Sequence, residues 1–390
     1  MTQETIDAEQ LASQYTVAEL ARAAEGYFAG VTDWTYHMSK PLGGVSEAPV
    51  ILAHFGAMVH ALDLEPELDL LDFGAGSCWT SRMLVQLGCR VVACDVSPTA
   101  LEMGRRLFEL QPPLGRGTIR FLHFDGLSID LPDASVDRVS CMDAFHHVPN
   151  WRHVMGELHR VLRPGGVVVL AEGGPNHSRT SQAQYEMRNF TVVERDMVVE
   201  EFAVLANSCG FADVKVGIYS GAPVLVAAAD FTELLRDGAV ASDAARQFLD
   251  NHRLIVLRKS GRSELTSRRP DGLLATLAVE SVGDRRFSAT IRNVGSATWL
   301  GLDTEVGRVN LGARLLDDRG SIRNVDFLRV PLFSSRGVDL APGDSCVVEF
   351  ELPSTEGATY RVSFDLVSEG VGWFSAFGGS VPIDVVVHAT

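Results

Sequence analysis

Long apolar runs are missing from this sequence. No stretch approaches the roughly 18 consecutive apolar residues that a spanning helix needs, so no membrane span is expected. Basic residues are the minority charge, with 34 Lys and Arg against 50 Asp and Glu and a formal net charge of −16. Neutralising phosphates takes clustered Lys and Arg, so nucleic acid is not an expected partner. The six cysteines (Cys78, Cys89, Cys94, Cys141, Cys209 and Cys346) are scattered, with no C-x-x-C pair and no metal-ligand spacing. They read as small core residues of a reduced, cytoplasmic protein, and no metal site is expected from them. The acidic opening MTQETIDAEQ has no apolar core segment, so no secretion signal is expected.

What is present describes a globular chain. At 390 residues, 46% hydrophobic and 22% charged, it exceeds a single core, and two domains are expected. The stretch that organises it is LLDFGAGSCWTSRMLVQLGCRVVACDVS, Leu70 to Ser97. A short apolar run ends at Asp72, Gly74-Ala75-Gly76 form a tight loop, Thr80 to Leu87 have helical spacing, and Arg90 to Cys94 form a second apolar run ending at Asp95. This order predicts a right-handed βαβ unit in a parallel sheet. Gly74 and Gly76 let the backbone approach a ligand without Cβ interference. Asp95, at the tip of the second strand, is placed to accept hydrogen bonds from two ribose hydroxyls.

A dinucleotide fold begins the same way but wants G-x-G-x-x-G, its third glycine making room for helix and pyrophosphate. Here that position is Trp79, and Asp72 before the loop would repel phosphate while suiting an ammonium group. The residues D-F-G-A-G with Asp95 resemble motifs I and II of class I S-adenosylmethionine (SAM) methyltransferases, although that family often has a glycine where this chain has Cys78. The resemblance implies SAM as cofactor. Asp72, Gly74, Ala75 and Gly76 would then hold its methionine end, Asp95 and Val96 its ribose, and Asp125-Gly126 its adenine amino group, with Asp143 in a further cofactor contact. Asp125 also has the simpler reading of a turn aspartate before glycine.

Further along, Ile119 to Phe124 and Val136 to Met142 read as strands, Trp151 to Leu162 as a helix, and Arg163-Pro164-Gly165-Gly166 as the turn that launches a strand from Val167 to Ala171. The run HHVPNW…ELHRVLRPGG resembles the methyltransferase subgroup that includes ubiquinone- and menaquinone-methylating enzymes. His146 and His147 follow the fourth strand, at the sheet end where open α/β sheets bind ligands. Imidazole titrates near neutral pH, so both are candidate general bases, His147 ahead of His146. The N-terminal segment is expected to cover the site, and the polar insertion 172–200 to carry acceptor-recognising elements. Val199 to Gly210 and Asp230 to Asn251 read as helices, Phe211 to Ile218 and Arg253 to Lys259 as strands.

From about Gly272 the pattern changes to short alternating runs separated by turn residues, an antiparallel sandwich. Its segments N-V-G-S-A-T-W299 and G-V-G-W373-F resemble tryptophan-containing immunoglobulin-like modules, similar to those attached to bacterial enzymes of polysaccharide assembly. The expected layout is therefore an N-terminal helical cover (1–68), a Rossmann-like seven-stranded methyltransferase domain (69–259), a linker (260–271) and an immunoglobulin-like β-sandwich (272–390). The leading functional expectation is SAM-dependent O-methylation of a hydroxylated small molecule, saccharide or glycan. Two alternatives stay open: C- or N-methylation of a quinone-like or natural-product acceptor, and a non-catalytic glycan-binding or scaffold role. A homo-oligomer is compatible with everything above.

Overall fold

The computed structural model describes residues 5–388 apart from 116, 222, 224, 226, 229–244, 247, 262–264, 336 and 356–358. The chain divides into two compact units, 1–263 and 264–390. Most of the helix expected over Asp230 to Asn251, and part of the expected linker, lie outside the described residues.

The first unit opens with α1 (Ala8–Ser13), α2 (Val17–Ala29), α3 (Thr35–Ser39) and α4 (Ala48–Leu62). Periodicity alone suggests one helix over the first 29 residues. The chain breaks it at Thr16, whose hydroxyl accepts from Glu19 N while Glu19 Oε2 accepts from Thr16 N, a reciprocal cap that restarts the helix. Then follow β1 (Asp69–Phe73), α5 (Trp79–Gln86), β2 (Arg90–Asp95), α6 (Pro98–Leu110), β3 (Thr118–His123), β4 (Val136–Met142), α7 (Trp151–Val161) and β5 (Leu162–Gly173). The unit closes with α8 (Ser181–Phe190), α9 (Val199–Ser208), β6 (Phe211–Val216) and β7 (His252–Lys259).

The seven strands lie in the order β3-β2-β1-β4-β5-β7-β6, parallel except for the antiparallel β7. Side chains alternate across this sheet, so Leu70, Val167 and Val169 join Met58, Leu62 and Leu84 of α4 and α5 on one face. Leu71, Val168 and Leu170 join Val154 and Leu158 of α7 and Phe202 of α9 on the other. Each such side chain contributes about 1.5–3 kcal/mol on burial. The strand order reverses between β1 and β4, which opens a crevice at their C-terminal ends.

One local expectation is corrected. The Arg163-Pro164-Gly165-Gly166 segment lies within β5 as a bulge, because Leu162 still pairs with Val136 and the ladder resumes at Val167 opposite Arg138. Gly165, at φ 76°, takes the left-handed conformation that this excursion requires.

In the second unit, β8 (Ala275–Ser281), β9 (Arg286–Asn293) and β12 (Ser345–Glu351) form one antiparallel sheet. A second contains β10 (Val309–Leu316), β11 (Ile322–Pro331), β13 (Thr359–Ser368), β14 (Gly372–Trp373) and β15 (Ile383–His388). Phe287 and Ile291 from the first sheet share a core with Leu311, Val362 and Phe364 from the second, which makes a sandwich. Trp299 is fully buried there, edge-on to Phe374. Trp373 lies between the Arg314 and Arg329 guanidinium groups, at 3.8 and 4.4 Å from its ring.

Candidate active site

The glycine loop between β1 and α5 is shaped by close approach. Gly74 N and Ala75 N donate to Cys94 O at 2.8 and 3.0 Å, tying the loop to β2. Gly74 has φ 68°, and a Cβ there would lie 2.3 Å from that of Ala144, so only glycine lets the loops after β1 and β4 meet. Cys78 holds φ 59° where the resembled family often has glycine, a conformation that costs a non-glycine residue about 1–2 kcal/mol. Its side chain fits because α6 offers Gly104 opposite, where an added Cβ would fall 2.4 Å from the sulfur.

A cavity of about 330 Å³ opens above this loop, at the crevice between β1 and β4. One wall is Gly74, Ala75, Gly76, Trp79, Asp95 and Val96, continued by Phe124 and Gly126. The rest of the lining is mainly apolar and aromatic, Val17, Leu20, Ala24, Tyr27 and Phe28 of α2, Ile51 of α4, and Val192-Val193, joined by the polar His37, Lys40, Asn150 and Glu186. Helix α2 is latched in place by Glu25, which accepts from Ser97 Oγ, Thr99 N and Thr99 Oγ1 at the start of α6. A carboxylate at a helix N-terminus is electrostatically favoured.

The expected cofactor residues fall into two groups. Gly74, Ala75, Gly76, Asp95, Val96, Gly126 and Asp143 all line the cavity. Asp95 is buried, with Oδ2 accepting from Gly76 N and Oδ1 from Ser97 N, both at 2.8 Å. Burial pushes its carboxyl upward against those two bonds. Asp72 and Asp125 stand elsewhere. Asp72 is buried beneath the loop, its carboxylate accepting from Thr80, Ser81 and Ser140 hydroxyls at 2.6, 2.5 and 2.7 Å. It therefore pins the first turn of α5 to β1 and β4 and stands outside the cavity lining, where the structure gives it a supporting role beneath the loop. Asp125 is exposed, its Oδ1 accepting from Leu127 N and Ser128 N at 2.8 Å. Those amides hold its carboxyl below the ordinary value. It is the turn aspartate of the simpler reading, and Phe124 and Gly126 beside it face the cavity instead.

The two histidines differ sharply. They sit on a single 3-10 turn, Phe145–His147, held by Glu172 at the end of β5, whose Oε1 accepts from Phe145 N at 2.9 Å. His146 is buried, with Nδ1 2.5 Å from Glu172 Oε2 and Nε2 3.5 Å from Glu194 Oε2. Burial alone would push its imidazole down, but the two glutamates outweigh it and raise it to about 10. It is absent from the cavity lining and enclosed by the two glutamates, an arrangement that suits a structural role and not the role of base. His147 lines the cavity, and a third of its side chain is exposed. Burial and the neighbouring His146 push it below the ordinary imidazole value. Its Nδ1 lies 2.8 Å from Val193 O, which assigns the proton to Nδ1 and leaves Nε2 as the acceptor atom.

Sequence reasoning missed Glu172, Glu186 and Glu194. Glu186, on α8, lines the cavity and is raised to about 7 by burial and the adjacent Glu194. The only sequence signal for these three was the polar character of the insertion that carries them.

Residues 71–170 match the family model described as "Methyltransferase domain". The chain carries a class I SAM methyltransferase domain. It is 29% identical over 170 residues to a sterol 24-C-methyltransferase of Eremothecium gossypii, an alignment covering 41% of this chain and 45% of that protein. It is 33% identical over 154 residues to a demethylmenaquinone methyltransferase of Parafrankia sp. (36% and 61% of the two chains). Against a 2-methyl-6-phytyl-1,4-hydroquinone methyltransferase of Synechocystis sp. it is 32% identical over 135 residues (34% and 41%). The chain thus spans about half the length of these relatives.

The cavity suits SAM, the cofactor of this domain. An added Cβ at Gly76 would meet nothing closer than Phe28 at 3.9 Å, so the loop backbone has open space in front of it. Asp95 supplies an anionic acceptor and Phe124 an apolar surface on the same wall. Trp79 stands at the position of the dinucleotide fingerprint's third glycine, its ring 5.4 Å from that of Phe55.

Proposed function

We propose that this protein methylates a carbon of a largely apolar, hydroxyl-bearing acceptor of quinol type. The observation that carries this reading is the composition of the cavity lining: besides the glycine loop and Asp95 it is made largely of apolar and aromatic side chains, among them Leu20, Tyr27, Phe28, Ile51 and Val193, and His147 lines it too. The names of the sterol- and quinol-methylating relatives support it. A saccharide would need polar partners for several hydroxyls, and beside His37, Lys40, Asn150 and Glu186 most of the lining outside the glycine loop is apolar. O-methylation of a glycan is therefore the less favoured reading.

In this reading Gly74 to Gly76, Asp95, Val96 and Gly126 hold the cofactor. When bound, SAM supplies an electrophilic methyl group on a cationic sulfur. The α2 wall orients the acceptor and excludes water. His147 Nε2 takes the proton of the acceptor hydroxyl, and the electron pair left on oxygen raises electron density at the ring carbon. Once the methyl group is in place, the proton that carbon carried is released to solvent, restoring the aromatic ring. Holding the reacting groups in line is the larger part of such catalysis, and proton removal adds about 10²–10⁴-fold.

Incubation with methyl-tritiated SAM and a panel of prenylated quinols, sterols and oligosaccharides tests the acceptor class. Label in a base-stable C-methyl group of a quinol is expected. Transfer confined to oligosaccharides would overturn the reading.

A further inference from the structure

We propose that Glu194 is a positioning residue for His147, so that the two form a carboxylate–imidazole dyad built across the insertion after β5. The inference deepens the base role proposed above and rests on it. Its geometry comes from a segment with no helical or strand periodicity, 191–198.

Glu194 is buried, and its two oxygens face different partners. Oε2 is anchored by His177 Nε2 at 2.7 Å. Oε1 makes no hydrogen bond although it is buried, and it lies 3.5 Å from His147 Nδ1. The same Nδ1 is already directed into this segment by its 2.8 Å bond to Val193 O. Neighbouring contacts fix the segment: Arg195 N donates to His146 O at 3.2 Å on the histidine turn, and Asp196 accepts from Ser178 N at 2.7 Å on the turn that carries His177. One carbonyl therefore sets the tautomer, and an adjacent anion stands ready for the charge.

During the reaction a proton leaves the acceptor hydroxyl for His147 Nε2, and the bonding pair remains on the acceptor oxygen. The resulting imidazolium sits beside the Glu194 anion, whose Oε1 is 3.5 Å from Nδ1 while Nδ1–H keeps donating to Val193 O. Other groups face His147 as well. His146 on the same turn opposes its charge, Glu172 on β5 stands behind His146, and Glu186, Lys40 and His37 border the cavity. Glu194 is the anion in closest approach.

Ligand-type atoms of His146, His147 and Glu194 all lie within 4.8 Å of one another, a spacing that would also suit a metal ion. Hydrogen bonds occupy the two Nδ1 atoms without one, His147 Nδ1 by Val193 O and His146 Nδ1 by Glu172, whereas Glu194 Oε1 has no such bond. A zinc titration therefore belongs to the test.

The test is ¹⁵N-histidine NMR on the full chain, whose 11 histidines are assigned by substitution. The expected spectrum has neutral His147 protonated at Nδ1. Glu194→Gln is expected to lower its titration midpoint by about one unit and, once an acceptor is known, to reduce kcat ~10–100-fold with little change in SAM affinity. Glu194→Asp should recover part of both. Should the Gln variant not fold, the wild-type tautomer and the Asp variant still decide. An Nε2–H tautomer, an unmoved midpoint, or displacement of the Nδ1 proton by one equivalent of zinc would overturn the proposal. Absence of turnover on every acceptor, with the NMR result intact, would count against the methylation reading and not against the dyad.

Discussion

Adjacent histidines on one turn are pushed in opposite directions here because of what stands around them. His146 is enclosed by Glu172 and Glu194, while His147 is turned to the cavity with a backbone carbonyl on Nδ1. His147→Ala should lower turnover ~10²–10⁴-fold with SAM affinity held within a few-fold, as steady-state kinetics and calorimetry would show. His146 should instead be read in stability. Its folded value of about 10 lies above the ordinary imidazole value of about 6.5, so its stabilising contribution is complete below about pH 6.5 and is lost as pH rises toward 10. A melting temperature that falls across that window in wild type, and stays flatter in His146→Gln, is the expected calorimetric result. The aspartates separate in the same way. Asp95→Ala should weaken SAM binding by about 1.5–3 kcal/mol, the worth of a charge-assisted hydrogen bond. Asp125→Ala, at an exposed turn, should leave binding within a few-fold. Calorimetric titration of both variants measures the difference.

At the scale of elements, β1, the glycine loop, α5 and β2 were legible because apolar runs, glycines and helical spacing all agree over Leu70 to Asp95. The distinction between Asp72, Asp95 and Asp125 was not legible. All three end apolar runs at strand tips, and only the hydroxyls of Thr80, Ser81 and Ser140 reveal that Asp72 is enclosed. Glu194 was hidden for a related reason: residues 191–198 have no period, and their placement comes from long-range bonds to the turn after β4. The Pro164-Gly165-Gly166 segment announced a turn, and the sheet accommodated it as a bulge because Leu162 finds a ladder partner before it. Gly74→Ala follows from the same local packing. The added methyl would meet Ala144 at 2.3 Å on a backbone with φ 68°. The variant should lose about 1–3 kcal/mol in urea unfolding, and its cofactor affinity should fall with it.

The whole molecule joins two units with different grammars, a mixed α/β sheet and an antiparallel sandwich, each with its own apolar core. Period-2 runs from Gly272 onward made the second legible as a sandwich, whereas the roles of its tryptophans came from packing: Trp299 fills the core, and Trp373 stacks between two arginines. Separate cores predict separate folding. A chain ending at Lys259 should stay soluble, keep its near-UV circular dichroism and bind SAM as the full chain does, while an insoluble product would show that the two units share their stability. Among the described residues no helix is long and apolar enough to cross a membrane.

The central claim is that the cavity between the glycine loop and α2 is a SAM site. Isothermal titration of the full chain with S-adenosylhomocysteine and, separately, with NAD tests it most directly. One equivalent of S-adenosylhomocysteine bound in the micromolar range and no measurable heat with NAD are expected. Tight binding of NAD, or no binding of S-adenosylhomocysteine, would contradict it.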